Sequence, residues 1–243
     1  MTRLEIFGVE GLPEVREGDD LPALIAEREA LEDADVVVIA QKAVSKAEGR
    51  VLRLADVDPS PRAVELAGEE GDPRRMEAIL RESTRLVRVR DGLVIAETRH
   101  GLVCASAGVD ASNVGEPDAV VLLPLDPDAS ARALRDGLRE RTGRTVGVIV
   151  ADSFGRPWRQ GTTNVAIGAA GLPVLVDLGG RLDADGYELH ATMIAVADEI
   201  AGAAELVMGK LEGVPVAVVR GLRLEGDGAA TELVMPPERD LFP

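Results

Sequence analysis

Short apolar runs punctuate a polar chain, and their spacing sets the elements that can form. Runs rich in Val, Ile and Leu at residues 3–7, 36–40, 86–89, 93–96, 120–123, 146–150, 174–177 and 216–219 have strand length. Segments 21–30, 61–66, 73–82, 130–142 and 188–208 read as helices, with Asp128 or Ser130 available to cap the fourth. Asp91-Gly92 separates two strand-like runs as a hairpin turn would. Residues 56–61 and 68–73 read as loops. Hairpins and helices alternate irregularly, with no internal period and no low-complexity linker. The fold class expected is therefore α+β with mixed sheets, not a regular βαβ repeat.

Chemistry gathers where one of these runs ends. Residues 148–168, VIVADSFGRPWRQGTTNVAIG, pass from Val148, Ile149 and Val150, suited to a strand covered on both faces, into acid, hydroxyl, arginine and glycine. Asp152 and Ser153 offer adjacent hard oxygens of the kind Mg²⁺ or Mn²⁺ on a nucleotide phosphate requires. Arg156 and Arg159 are forked donors suited to phosphate or carboxylate. A turn whose Asp caps a helix and whose arginines are solvated would read the same way. Residues 98–113, TRHGLVCASAGVDASN, repeat the pattern, and Asp110 is the natural second metal ligand. It lies 42 positions before Asp152, so only the fold can bring the two together. Taken alone, Gly108-Val109-Asp110 reads more readily as an ordinary turn than as a ligand.

Other catalytic classes find little support. The single Cys104 and the two histidines, His100 and His190, form no recognisable Cys/His or Ser/His/Asp arrangement, and Cys104 reads as a small core residue. No GxxxxGK[ST] loop occurs, and no GxGxxG lies between a strand and a helix, so neither a P-loop nor a Rossmann fold is expected. Any phosphate must use another cradle. Lysine is rare: only Lys42, Lys46 and Lys210 occur against 24 arginines. Lys46, after the run 36–39, is expected in a loop just past a strand end. Gly209 and Lys210 follow a helix-like run and read equally as helix-stop signals.

Composition bounds the rest. The 243 residues, 46% of them hydrophobic, can bury a proper core in one domain or two closely joined subdomains. A net charge of −16 argues against nucleic acid as a partner, and it requires any site for polyanions to be locally cationic or metal-loaded. The opening MTRLEIFGVEG lacks a signal-peptide core, and no stretch reaches the roughly 18 uninterrupted apolar residues of a membrane helix. One cysteine excludes an internal disulfide. A cytoplasmic protein without membrane partners is the expectation.

Six motifs occur in order: GLPE at 11–14, QKAVSKAEGR at 41–50, AGVDASNV at 107–114, LLPLDPDASA at 122–131, DSFGRPWR at 152–159 and VADEIAGAAELVMGK at 196–210. Together they resemble the coenzyme F-420-0: L-glutamate ligase family over nearly the whole chain. The chain is also similar to the N-terminal half of longer actinobacterial ligases, and a single-domain form without their flavin-binding, reductase-like extension is expected.

The resemblance implies a GTP-dependent amide ligase. It would add L-glutamate to a deazaflavin phospholactate precursor, then further glutamates through γ-linkages. Two divalent cations, Mg²⁺ or Mn²⁺, are implied, with room for a monovalent cation such as K⁺. Asp110 and Asp152 match the family's metal-binding acids, and Ser153 stands where threonine is usual. Gly11, Leu12, Pro13, Glu14, Gln41, Lys46, Asn113 and the run Met208, Gly209, Lys210, Leu211, Glu212, Gly213 match segments that contact the guanine nucleotide. Two departures concern Ala40-Gln41, where hydroxyl residues are common, and Asn164, where an aspartate is. The nucleotide segments come from both chain ends and the acids from the middle. One subdomain built by the termini, a second by the centre, and a site between them are therefore expected within a ligase domain spanning 1–243. A homodimer is implied as well.

Phosphoryl chemistry fits such a reaction, because amide formation in water needs an activated carboxylate and no enzyme nucleophile. Asp110, Asp152 and Ser153 take the metal role, and Lys46, Arg156 and Arg159 the clamp role. A metal-dependent phosphotransferase or ligase acting on another carboxylate, and a non-catalytic nucleotide-binding regulator, stay open as alternatives.

Overall fold

The computed structural model describes residues 3–241. Its elements begin with β1 (Glu5–Gly8), α1 (Leu21–Ala26), β2 (Val36–Ala40), α2 (Gln41–Ala47), β3 (Val51–Arg53), α3 (Pro61–Ala67), α4 (Pro73–Glu82), β4 (Ser83–Arg90) and β5 (Leu93–Thr98). They continue with β6 (Val103–Ala105), β7 (Ala119–Val121), α5 (Pro127–Thr142), β8 (Gly147–Arg156), β9 (Arg159–Ala170), β10 (Val176–Asp177), β11 (Met193–Ile194), α6 (Val196–Met208) and β12 (Val216–Arg220). The class is α+β, as the irregular alternation of runs requires.

A five-stranded sheet in the order β1-β12-β2-β8-β9 organises the molecule. Its central pair, β2 and β8, is parallel, and the other neighbours are antiparallel. Both faces are covered, which is why these strands read as unbroken apolar runs. Val37, Ile39, Val148, Val150, Val216 and Val218 share one core with Ile25 of α1 and Leu134 and Leu138 of α5. The alternate residues Val36, Val38, Ile149, Ala217 and Val219 pack on the other face with Ala197, Ile200 and Ala204 of α6. Each fully buried Val or Ile contributes about 1.5–3 kcal/mol. At the start of β2, buried Asp35 accepts two hydrogen bonds from Arg220, at 2.9 and 2.8 Å, pinning the register of β12 against β2. A separate core gathers α3, α4, β5 and β7 around Ile79, Val94, Ala96 and Val120. Among the described residues no helix is long and apolar enough to cross a membrane.

Several boundaries differ from the sequence expectation, each for a local reason. The β8 strand continues through Arg156 instead of ending at residue 150, and β9 returns beside it. The outer half of this hairpin is exposed and polar, so it carries no apolar signal. The 188–208 helix begins only at Val196, and residues 193–194 pair with 176–177 as a short ladder. Helix α5 is capped by Asp126, whose carboxylate accepts from the Ala129 N–H at 2.8 Å, with Pro127 opening the helix; neither Asp128 nor Ser130 is the cap. Buried Asp128 instead accepts N–H bonds from Ala169, Ala230 and Thr231, tying the C-terminal segment to β9. The Asp91-Gly92 turn is present, with both residues at positive φ as a type I′ hairpin needs.

Candidate active site

The β2 and β8 ladder ends at Ala40 and Ala151, where the chain leaves β2 directly into α2. The next residues of β8, Asp152 and Ser153, therefore lose their neighbour on that side and line an opening of about 580 Å³. Carboxyl ends of parallel strands are the usual place for a ligand crevice in such sheets. Helix α2 forms one wall, and its first turn has no side-chain cap. The loop 11–15 and the segment 208–215 between α6 and β12 close the cavity. Gly209 caps α6 at φ 59°, where a Cβ would come within 2.6 Å of the Glu212 side chain.

Asp110 arrives from a different direction. Ser106, Ala107 and Gly108 all take positive φ, an uncommon run for residues with side chains, and the chain is then pinned by reciprocal backbone hydrogen bonds between Asp110 and Val121. Its carboxylate accepts from the Ser112 N–H at 2.7 Å through Oδ1 and lies 2.7 Å from the Lys42 ammonium through Oδ2. Burial works against its ionisation, but the Lys42 and Ser112 hydrogen bonds outweigh that and hold the carboxyl below its ordinary range. Asp152 has the opposite fate. Burial pushes it up to about 6, the negative charge of Asp110 adds to the rise, and the Ser153 N–H and Lys42 only partly offset it. Two neighbouring carboxyls with oppositely shifted affinities for protons mark a candidate functional site.

Ser153 is held in one orientation. Its hydroxyl donates to Asn164 Oδ1 at 2.7 Å, and Asn164 Nδ2 donates to Glu205 at 2.9 Å. With the amide oriented by Glu205, the serine proton is committed to Asn164, leaving the hydroxyl lone pairs for a ligand.

The fold brings Leu12, Pro13, Glu14, Gln41, Lys46, Asn113, Asp152, Ser153, Met208, Gly209, Lys210, Leu211 and Gly213 to this one cavity. Gly11 and Glu212 lie next to lining residues in the chain, and Asp110 joins through Lys42. Lys46 is in the last turn of α2, not in a loop, because the chain turns helical immediately after β2; it is buried and ion-paired with Glu14 across the opening. Gln41 is buried as well, donating to Ser45 Oγ and to the Leu122 carbonyl, so its amide braces the wall. Arg156 and Arg159 are not brought together with these groups. They face one another at the exposed end of the β8–β9 hairpin, where Arg156 donates to the Gln160 carbonyl at 3.2 Å. Sequence reasoning counted Lys42 among three rare lysines, at least one of them expected to contact phosphate, without pairing it with an acid, and it did not single out Glu205. For Glu205, one turn before the end of a helix, no sequence signal existed.

A divalent cation fits this donor set. Among the described residues no three His, Cys, Asp or Glu side chains cluster as a full metal cage. Two carboxylates and an oriented hydroxyl provide hard oxygens, the incomplete set typical of Mg²⁺ or Mn²⁺ shared with water and phosphate. Lys42 shows that the pair already attracts positive charge.

Two tests of the local chemistry follow from this geometry. Ser153→Thr is expected to be mild, because the oxygen is kept, whereas Ser153→Ala should lower turnover more; equal effects in steady-state kinetics would argue against ligation through this hydroxyl. In metal-free protein, the Asp152 carboxyl binds its proton more tightly folded than unfolded. Its contribution to stability is therefore full below the ordinary aspartate range near pH 4 and lost as pH rises through about 6. The loss amounts to on the order of 3 kcal/mol. Melting curves in EDTA should show wild type falling relative to Asp152→Asn between about pH 4 and 7, with Mn²⁺ restoring only wild type. A constant difference across that window would contradict the assignment.

Comparison with known proteins places the chain in a family. Residues 11–221 match the model of the F420-0:Gamma-glutamyl ligase family. The chain is 49% identical to the coenzyme F420:L-glutamate ligase of Methanopyrus kandleri over 252 residues, covering 100% of both chains. It is 46% identical to the ligase of the same name from Methanothermobacter thermautotrophicus over 98% of each chain. It is 44% identical to that of Haloarcula marismortui over 98% of this chain and 95% of the other. The chain accordingly belongs to the F420-0:gamma-glutamyl ligase family.

Proposed function

We propose that this protein is a GTP-dependent ligase that forms an amide between L-glutamate and the carboxylate of a deazaflavin precursor, and then adds further glutamates through γ-linkages. The single observation that carries the reading is the convergence of Asp152, the oriented Ser153 hydroxyl and Lys42, Lys46 and Lys210 on one cavity, with Asp110 joined to it through Lys42. In a chain of net charge −16, all three lysines gather where a polyphosphate would have to be neutralised. The names of the relatives support glutamate and coenzyme F420 as the reactants.

The balanced reaction has two steps. A carboxylate oxygen of the precursor attacks the γ-phosphorus of GTP, and the bond to the β-phosphate oxygen breaks to release GDP. The neutral glutamate amine then attacks the acyl carbon, inorganic phosphate leaves with the former carboxylate oxygen, and the nitrogen gives up one proton to the departing phosphate or to water. A divalent cation, when bound, neutralises phosphate oxygens during transfer. Asp110, Asp152 and Ser153 would hold it. Lys46 and Lys210 would position the nucleotide phosphates, and loop 11–14 with residues 208–213 would enclose the nucleotide. The cavity supplies orientation and charge, which is most of what phosphoryl transfer asks of a protein. The same reading carries a homodimer and a cytoplasmic setting with it.

Mixing purified protein with GTP, Mn²⁺, L-glutamate and the deazaflavin precursor tests the reading. GDP together with a glutamylated product, identified by mass, supports it. GDP formed only with another carboxylate acceptor would move the protein to a different ligase or phosphotransferase, and nucleotide binding without turnover would make it a regulator.

A further inference from the structure

We propose that Lys42 is the resident counter-cation of the acidic pair, and that a divalent ion must displace it from Asp110 to bind. The inference rests on the metal-assisted reading above. Lys42 lies in the first turn of α2, and its side chain is only 18% exposed. Its ammonium is 2.7 Å from Asp110 Oδ2 and donates to Ser112 Oγ at 2.7 Å. The same charge acts on Asp152. One cation thus serves both acids.

The geometry makes the two cations rivals. Asp110 Oδ1 already accepts the Ser112 N–H, which leaves Oδ2 the less encumbered oxygen for a metal, and Lys42 holds it. An ammonium and a divalent ion on the same oxygen would stand close enough to repel one another strongly in a partly buried cavity. A lysine suits such a place, because its ammonium is a point charge on four rotatable carbons and can swing away without moving the helix. Lys42 lines the cavity, so phosphate oxygens are within its sweep once it leaves Asp110. Metal affinity before nucleotide arrives is therefore held down by Lys42, and the metal and nucleotide together relieve that competition.

Direct Mn²⁺ binding to the full chain without nucleotide, followed by the electron paramagnetic resonance of free Mn²⁺, tests this. Lys42→Met should bind Mn²⁺ about five- to tenfold more tightly than wild type, the effect of removing a partly exposed competing ion pair. Lys42→Gln, which keeps a donor for Asp110 without the charge, should shift in the same direction, and Lys42→Arg should stay near wild type. In EDTA the Met and Gln variants should melt below wild type, with Mn²⁺ closing the gap. A merely structural lysine predicts the opposite, weaker Mn²⁺ binding in both neutral variants. Unchanged or weaker binding in both overturns the displacement role. If Asp152→Asn still abolishes binding in that case, the metal reading survives; wild type, Lys42→Met and Lys42→Gln that all bind no Mn²⁺, or all bind it as Asp152→Asn does, overturn both.

Discussion

Asp152→Asn is expected to abolish ligation while leaving the protein folded, and Asp110→Asn is expected to do the same. Each replacement keeps the shape of the side chain and an oxygen able to accept the existing N–H bond, from Ser153 at position 152 and from Ser112 at position 110. What is lost is charge. Stabilising a transferring phosphoryl group through a cation is worth several kcal/mol, so kcat/KM should fall on the order of a thousandfold or more. At position 152 the loss of function should coincide with a gain in metal-free stability near neutral pH, because burial disfavours the ionised carboxylate there. Circular dichroism with GDP release and product mass checks both halves. Folded variants with near-normal turnover would remove Asp110 and Asp152 from the chemistry.

Lys46→Ala is expected to raise the KM for GTP, or to lower kcat if the contact forms only in the transition state, by roughly ten- to hundredfold. A charge-assisted phosphate contact is worth about 1.5–3 kcal/mol. The structure gives this lysine a partner, Glu14, on the opposite wall. Removing the ammonium would leave that carboxylate, 62% exposed and partly screened by water, without its partner beside the phosphates. Lys46→Arg should not rescue, since a planar fork does not replace a point charge at a position only 8% exposed. Steady-state kinetics with GTP and glutamate varied separately decide the matter. If only the glutamate KM rises, Lys46 binds the amino-acid carboxylate and the placement of nucleotide and acceptor is reversed.

Elements that bury both faces were legible in the sequence. Val36–Ala40 and Val216–Arg220 appear within a residue or so of the runs that predicted them, because an interior strand covered on both sides must be apolar at every position. The outer half of the β8–β9 hairpin and helix α2 were not legible. The former is exposed and polar, and the latter has only seven residues, too few for a helical period to stand out.

For the site, sequence by itself determined the cast: two acids, a hydroxyl beside one of them, and lysines confined to motif segments. Those are local chemical facts and survive without coordinates. Only the tertiary structure decided who meets whom. Asp110 comes to the edge of the cavity that Asp152 lines, joined to it through Lys42, because Asp110 is bridged to Val121 while β8 runs on past the end of β2. Lys42 stands between them, and Arg156 and Arg159 are carried to the far end of a hairpin. The physical reason is that charge and hydrogen bonding act through a few ångströms of space, and the 42 residues separating the two acids leave that distance to the packing of the sheet.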